Sequence, residues 1–272
     1  MARIYDCSEN TELLAGMRLA RAAIGRGELV VIPTDTVYGV AADAFTPRAV
    51  QRLLDAKGRT RHAPPPVLIP DLATLDALAS HVPVAVRDLV AEFWPGALTI
   101  ILPSQPSLLW DLGDTHGTVA LRMPANPVAL ELLAETGPLA VSSANLTGQP
   151  AADTAQEAEG MLGNSVTLYL DGGRAEGTGG AHQGSTIIDA TGLQAEGGKI
   201  RVLRSGVISE EQLRAVIGDV LERATEEPEP DVASVADSEP SDTEPSDAEP
   251  SDSEASDAGR PDAIAPGAQA SG

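Results

Sequence analysis

The densest gathering of reactive side chains is Thr34, Asp35, Thr36, Tyr38 and Gly39, directly after the apolar run Leu29-Val-Val-Ile32 and Pro33. Four apolar, mostly β-branched residues predict a buried strand whose ladder the proline ends. Hydroxyls, a carboxylate and a phenol at a strand end are the groups that α/β proteins turn toward ligands. The same residue types also build turns. The competing reading therefore makes Thr34 and Asp35 turn caps and Tyr38 core.

Further along, bases and hydroxyls recur at the ends of elements. Lys57 and Arg59, with Arg61 close behind, could neutralise phosphate or carboxylate, lysine as a mobile point charge and arginine as a bidentate fork. Bases also favour an exposed helix C-terminus, and the two readings stand side by side. In either case neither side chain is expected to be needed by a core. Ser142-Ser-Ala-Asn145 sits at a strand end, as hydroxyl and amide contacts or as a simple cap. Arg122 closes the strand expected at 118–122, as a buried anion receptor or a surface base. Ser185-Thr186 and Arg204-Ser-Gly206 repeat the theme of a hydroxyl or guanidinium beside a strand.

The elements that would position these groups are legible in the spacing. Leu13, Met17, Ala20 and Ile24 predict a helix over 10–25, capped by Asn10 or Thr11 and stopped by Gly25 and Gly27. Residues 34–43 read as a loop. Pro47 opens a helix that delivers Lys57-Gly-Arg59, with Val50, Leu53 and Leu54 inward. Pro64-Pro-Pro66 leads stiffly into a short strand at 67–69. Helices follow at 71–79 and 83–92, then the turn Trp94-Pro-Gly96 and strands at 97–102 and 118–122. A helix from Asn126-Pro127 to about 136 and a strand at 139–141 precede a helix near 153–161. Strands at 166–170, 185–189 and 199–203 come last, with Ser209-Glu-Glu-Gln212 as a capping box for a final helix to 217. The alternation predicts an α/β fold with a mixed sheet. No Gly-x-x-x-x-Gly-Lys-Ser/Thr loop, Gly-x-Gly-x-x-Gly turn or Gly-x-Ser-x-Gly elbow is present.

The 272 residues carry a formal charge of −22, unevenly spread. Residues 219–272 hold 16 acidic and two basic side chains, net −14, whereas residues 1–218 hold 24 and 16, net −8. The expected organisation is a folded unit over 1–218 and a disordered acidic tail over 219–272, rich in Ser-Asp-x-Glu-Pro repeats that offer almost nothing to bury. A globally basic nucleic-acid binder is disfavoured. One cysteine, Cys7, excludes an internal disulfide, and the four histidines show no zinc spacing, so no metal ligands are assigned. No stretch reaches the roughly 18 apolar residues of a membrane span, and the first residues lack signal-peptide character. A cytoplasmic protein without membrane contact is expected.

Seven motifs, in order, resemble the YrdC-domain family, the L-threonylcarbamoyladenylate synthases. They are Pro33-Thr-Asp-Thr-Val-Tyr-Gly39, Ala56-Lys-Gly-Arg59, Trp94-Pro-Gly96 with Leu98-Thr99, Val119-Ala-Leu-Arg-Met-Pro124, Gly137-Pro-Leu-Ala140 with Ser143-Ala-Asn145, Ser185-Thr-Ile-Ile-Asp189, and Leu203-Arg-Ser-Gly206. The resemblance covers about residues 10–217. It implies an α/β, YrdC-like twisted mixed sheet with a concave ligand-binding face. It also implies synthesis of L-threonylcarbamoyl-AMP from L-threonine, bicarbonate and ATP, with release of pyrophosphate. The product would pass to a tRNA threonylcarbamoyl transferase acting on adenosine 37, and Mg2+ would accompany ATP. Thr36, Arg122 and Ser185 would contact threonine. Arg59, Thr118, Ser143, Asn145 and Arg204 would lie along ATP, with Lys57 at the phosphates. Lys57, Arg59, Ser143 and Asn145 would carry catalysis, chiefly by positioning and electrostatics.

The sequence departs from many relatives at Thr60, Ala63, Pro64-Pro65 and Leu68, where they carry other, often polar, residues. Where larger relatives carry a second folded domain, only the acidic tail is expected here. Two alternatives stand beside the synthase. A non-catalytic RNA-binding module would want a broad basic footprint, which a net −8 does not supply. A domain detached from a hydrogenase-maturation protein would bring zinc-binding cysteines, which Cys7 alone cannot provide.

Overall fold

A computed structural model of the protein describes residues 3–175 and 183–223. The expected disordered tail lies outside the described residues from 224 onward. Residues expected to open that tail are packed, however. Leu221 is buried and bridges Ile200, and the Glu222 N–H donates to the Ile200 carbonyl.

In chain order the elements are β1 (Arg3–Asp6), α1 (Asn10–Gly25), β2 (Val30–Ile32), β3 (Gly39–Asp43), α2 (Pro47–Lys57), β4 (Val67–Leu68), α3 (Leu72–Leu78), α4 (Val84–Phe93) and β5 (Leu98–Pro103). They continue with β6 (Thr118–Arg122), α5 (Pro127–Thr136), β7 (Leu139–Ser143), α6 (Ala155–Leu162), β8 (Leu168–Asp171), β9 (Thr186–Asp189), β10 (Arg201–Arg204) and α7 (Glu210–Ile217). The described strands form one mixed sheet in the order β1-β8-β2-β3-β7-β4-β6-β5-β9-β10. Four of its nine neighbouring pairs are parallel, as the α/β alternation with antiparallel members predicts.

Side-chain alternation along the strands decides what covers each face. Val30 and Ile32 of β2 pack with α1 and α5, whereas Val31 between them packs with α2 and α6. In the other half, Leu98, Ile100 and Leu102 of β5 and Val119 and Leu121 of β6 join α3, α4 and α7 in one core. The alternate residues Thr99 and Arg122 then point to the opposite face, which these helices do not cover. A ligand-binding face is thus left open on that half.

Three local expectations are corrected. Residues 39–43 form a strand rather than loop, because β3 finds pairing partners on both sides, β2 and β7. Strand β1 was not foreseen; it is four residues long and pairs in parallel with β8, more than 160 positions away. The α1 N-cap is Glu9 with no side-chain cap bond, not Asn10 or Thr11. The Ser209–Gln212 capping box is present as read.

Candidate functional site

A cavity of about 210 Å³ lies on the open face. Leu68, Val141 and Ile187 supply apolar lining, and Thr36, Arg59, Arg122, Ser143, Ser185 and Arg204 supply polar groups. Six of the nine residues singled out as site candidates therefore line one cavity. An apolar lining with a few convergent polar groups is the usual build of a small-molecule site.

Arg122 closes β6 and is buried, fixed from three sides. Its Nε donates to the Gly96 carbonyl at 2.9 Å, Nη1 to the Thr36 hydroxyl at 3.0 Å, and Nη2 to Asp35 Oδ1 at 2.6 Å. A guanidinium has five N–H donors, so one remains on each Nη after these bonds. The Trp94-Pro-Gly96 turn holds this arrangement, since the Gly96 N–H also donates to the Met123 carbonyl. Burial pulls the Arg122 pKa down from its ordinary value, and Asp35 opposes that pull.

Thr34 sets the proton direction at Thr36. Its own hydroxyl donates to the Val37 carbonyl at 2.6 Å, so in the 3.1 Å contact between the two hydroxyls Thr36 is the donor. With its proton committed to Thr34 and one lone pair to Arg122, the Thr36 hydroxyl can offer a ligand only an acceptor. Thr34 thus does hold its turn, as one sequence reading had it, while also building the site. Tyr38 is core: its buried phenol donates to the Gly173 carbonyl at 2.5 Å and accepts from the Gly172 N–H, and burial raises its pKa.

The Lys57-Gly58-Arg59 segment splits at its glycine. Gly58 ends α2 in the left-handed region, φ 62°, and sends its neighbours to different places. Arg59 reaches the cavity and donates to the Ser142 hydroxyl at 3.1 Å. Lys57 turns inward and is 1 % exposed. Its ammonium donates to the Ser143 carbonyl, to the Asn145 carbonyl at 2.5 Å and to Asn145 Oδ1 at 3.2 Å. Burial and the neighbouring Arg59 lower its pKa to about 8. The reading of Lys57 as an exposed helix-end base that no core needs is therefore corrected: it is buried and the fold needs it, and it is not among the residues that line the cavity. Asn145 follows it inward, its amide donating to the Leu146 and Gln149 carbonyls at 2.9 and 2.7 Å. Asn145 is also not a lining residue.

At the far wall Arg204, which ends β10, donates to the Ser185 carbonyl at 2.6 Å and its hydroxyl at 3.1 Å. That hydroxyl also meets the Thr99 hydroxyl at 2.7 Å. Gly206 permits this crossing, because a Cβ there would lie 2.3 Å from the Gly184 carbonyl oxygen. Burial, then the positive charges of Arg122 and Arg59, pull the Arg204 pKa below its ordinary value. All three guanidinium groups belong to residues that line the same cavity, so their charges act on one site.

Thr118 stands apart. It opens β6 at the end opposite Arg122, roughly 13 Å away by strand rise, and its hydroxyl donates to the Thr115 carbonyl at 2.7 Å. The sequence placed Asp35 in the reactive cluster after β2 without a role of its own, and Thr99 only within a strand and a family motif. A carboxylate beside the threonines and one hydroxyl within an apolar strand were the available signals. Among the described residues no group of three or more His, Cys, Asp or Glu side chains could hold a metal.

Comparison with known proteins agrees with this architecture. The profile of the Sua5/YciO/YrdC family, described as "Telomere recombination", matches residues 22–206. A Mycobacterium tuberculosis (strain ATCC 25618 / H37Rv) protein named for threonylcarbamoyl-AMP synthase activity is 48% identical over 218 residues, covering 80% of this chain and 96% of its own length. The Bacillus subtilis (strain 168) threonylcarbamoyl-AMP synthase is 39% identical over 204 residues, 74% of this chain and 56% of its own. The crystal structure of P. abyssi Sua5 complexed with L-threonine superposes with a TM-score of 0.71 at 32% identity, over 81% of this chain; the match spans 62% of the P. abyssi chain. On the matched profile and the shared α/β architecture, the chain belongs to the Sua5/YciO/YrdC family of threonylcarbamoyl-AMP synthases.

Proposed function

We propose that the cavity binds L-threonine at its Arg122 end and the phosphates of ATP at its Arg59 and Arg204 end. The reaction is synthesis of L-threonylcarbamoyl-AMP from L-threonine, bicarbonate and ATP, with release of pyrophosphate. The observation that carries this reading is the convergence of three guanidinium groups on one small cavity also lined by the Thr36, Ser143 and Ser185 hydroxyls. The P. abyssi relative, solved with L-threonine, supports the amino-acid half.

In this arrangement the two unspent N–H groups of Arg122 take the threonine carboxylate as a fork. Thr36 accepts from the amine or side-chain hydroxyl, and Ser185, bonded to Arg204, stands where the amino-acid and phosphate ends meet. The threonine amine combines with bicarbonate, losing water, to give a carbamate. One carbamate oxygen then attacks the α-phosphorus of ATP, and the bond to the pyrophosphate oxygen breaks. Arg59 and Arg204 face the charge that gathers on the departing pyrophosphate. No side chain needs to act as a nucleophile, so the protein works by positioning. Ser143 lies along the nucleotide, and Lys57 and Asn145 act one layer back by holding the Ser143–Asn145 turn. The role of Thr118 toward ATP requires the nucleoside end to run along β6.

Magnesium would arrive on the triphosphate, held by phosphate oxygens and water. Transfer of the product to a tRNA-modifying transferase is the proposed next step, and consumption of ATP suits a cytoplasmic location. Direct binding of RNA is the weaker reading, because the cavity arginines form one pocket rather than a broad basic surface. The test is incubation with ATP, L-threonine and bicarbonate, followed by mass analysis. Threonylcarbamoyl-AMP and pyrophosphate are expected; ATP left intact under all conditions would overturn the reading.

A further inference from the structure

The three cavity arginines differ in the charge of their partners. Arg59 donates to the neutral Ser142 hydroxyl, and Arg204 to the carbonyl and hydroxyl of Ser185. Among the described residues, Arg122 is the one of the three that meets a carboxylate, Asp35, at 2.6 Å. Asp35 does not line the cavity itself. It lines a neighbouring one with Ala125 and Asn126, and so stands behind Arg122. The same Oδ1 accepts the Ala125 N–H at 3.0 Å, which ties the carboxylate to the segment after β6 as well as to the loop after β2.

This asymmetry matters because the two ligands of the proposed site are both anionic at the ends they present. A pyrophosphate group carries several negative charges and a threonine carboxylate carries one. Three unneutralised guanidinium groups would draw the polyphosphate across the whole cavity. A carboxylate behind one of them cancels its long-range attraction while leaving its two unspent N–H donors in place.

We propose that Asp35 is a positioning residue that divides the cavity electrostatically. It reserves the Arg122 fork for the carboxylate of a zwitterionic amino acid and leaves Arg59 and Arg204 for polyphosphate. The inference rests on the site reading given above and deepens it.

The experiment is equilibrium dialysis of labelled L-threonine against the full chain, with and without inorganic pyrophosphate. In the wild type, pyrophosphate leaves threonine bound. In Asp35→Asn, which keeps the size but loses the charge, pyrophosphate displaces threonine, and threonine affinity falls about tenfold. Asp35→Glu keeps the exclusion of pyrophosphate while weakening threonine. A merely structural role would lower affinity in both variants without changing the competition. Asp35→Asn that still excludes pyrophosphate overturns the proposal. So does a wild type in which pyrophosphate already displaces threonine, an arm that needs no variant to fold. Arg122→Lys separates the two levels. Unchanged threonine binding there removes the site reading and this inference together, whereas weakened binding there with an unaltered Asp35→Asn removes this inference alone.

Discussion

The ammonium of Lys57 donates to both oxygens that Asn145 offers, the main-chain carbonyl at 2.5 Å and the side-chain amide oxygen at 3.2 Å. The Lys57 carbonyl in turn accepts from the Thr147 hydroxyl at 2.7 Å. One residue at the end of α2 thus pins the turn after β7 at both of its own ends. Arg59, two positions on, meets Ser142 near the end of β7, just before that turn. Lys57 and Arg59 thus hold the end of β7 and the turn after it from the same stretch of chain, and Lys57 acts on the site by fixing that turn.

Lys57→Met is expected to destabilise the fold, because it leaves buried carbonyl oxygens without their donor. A loss of about 1–3 kcal/mol follows from orphaning such groups, read as a lower midpoint in urea. The pH dependence gives a second readout. The folded chain releases the Lys57 proton near pH 8, while the unfolded chain holds it to about 10.5. Between these values the unfolded state binds more protons, so this group's contribution to stability rises with pH. It is complete above about 10.5 and lost as pH falls through about 8. The stability difference between wild type and Lys57→Met should therefore widen in favour of the wild type across that window. A difference that is flat with pH would contradict the buried-ammonium assignment.

The cavity predicts a division of labour between its arginines. Arg59→Ala should raise the KM for ATP and lower kcat, with a loss on the order of 2–5 kcal/mol in transition-state stabilisation. Its KM for threonine should change little. Arg122→Lys keeps a charge but loses the fork and the Thr36 and Gly96 bonds, so it should raise the KM for threonine far more than that for ATP. Steady-state kinetics with each substrate varied in turn checks both. Equal effects on the two substrates from both variants would mean that the cavity is not divided in this way.

Thr36 is placed to read the amino acid as well as to steady Arg122. Thr36→Ala should weaken threonine and narrow the preference for threonine over serine, whereas Thr36→Ser, which keeps the hydroxyl, should retain most of the affinity. Competition between the two amino acids in the product assay measures this. An unaltered product ratio in Thr36→Ala would confine Thr36 to a structural role.

Deleting residues 225–272 should leave the Tm and the synthase rate unchanged, since the segment's Ser-Asp-x-Glu-Pro composition provides little to bury. Calorimetry and the product assay on the shortened chain test it. A Tm lower by more than a few degrees would show that the tail contributes to the fold.

Much of the architecture was legible because its signals are local. Pro47 at a helix start, Gly58 at its end, the Ser209–Gln212 capping box and the 3.6-residue spacing of Met17, Ala20 and Ile24 each act within a turn or two of chain. The motif resemblance likewise brought Thr36, Arg59, Arg122, Ser143, Ser185 and Arg204 into one candidate site, and all six line one cavity. What the sequence could not decide were contacts that exist only once the sheet is assembled, most of them between residues far apart in the chain. A Gly-Val-Ala-Ala-Asp run has too little side-chain character to announce a strand, and it becomes one because β2 and β7 pair with it on either side. Lys57 looks like any helix-end base until the end of β7, 86 residues later, surrounds its ammonium with oxygens. Asp35 looks like turn material until the folded sheet sets Arg122, 87 residues away, against it. Where a charged side chain goes depends on which unsatisfied groups the tertiary fold brings near it, and local pattern carries no record of that.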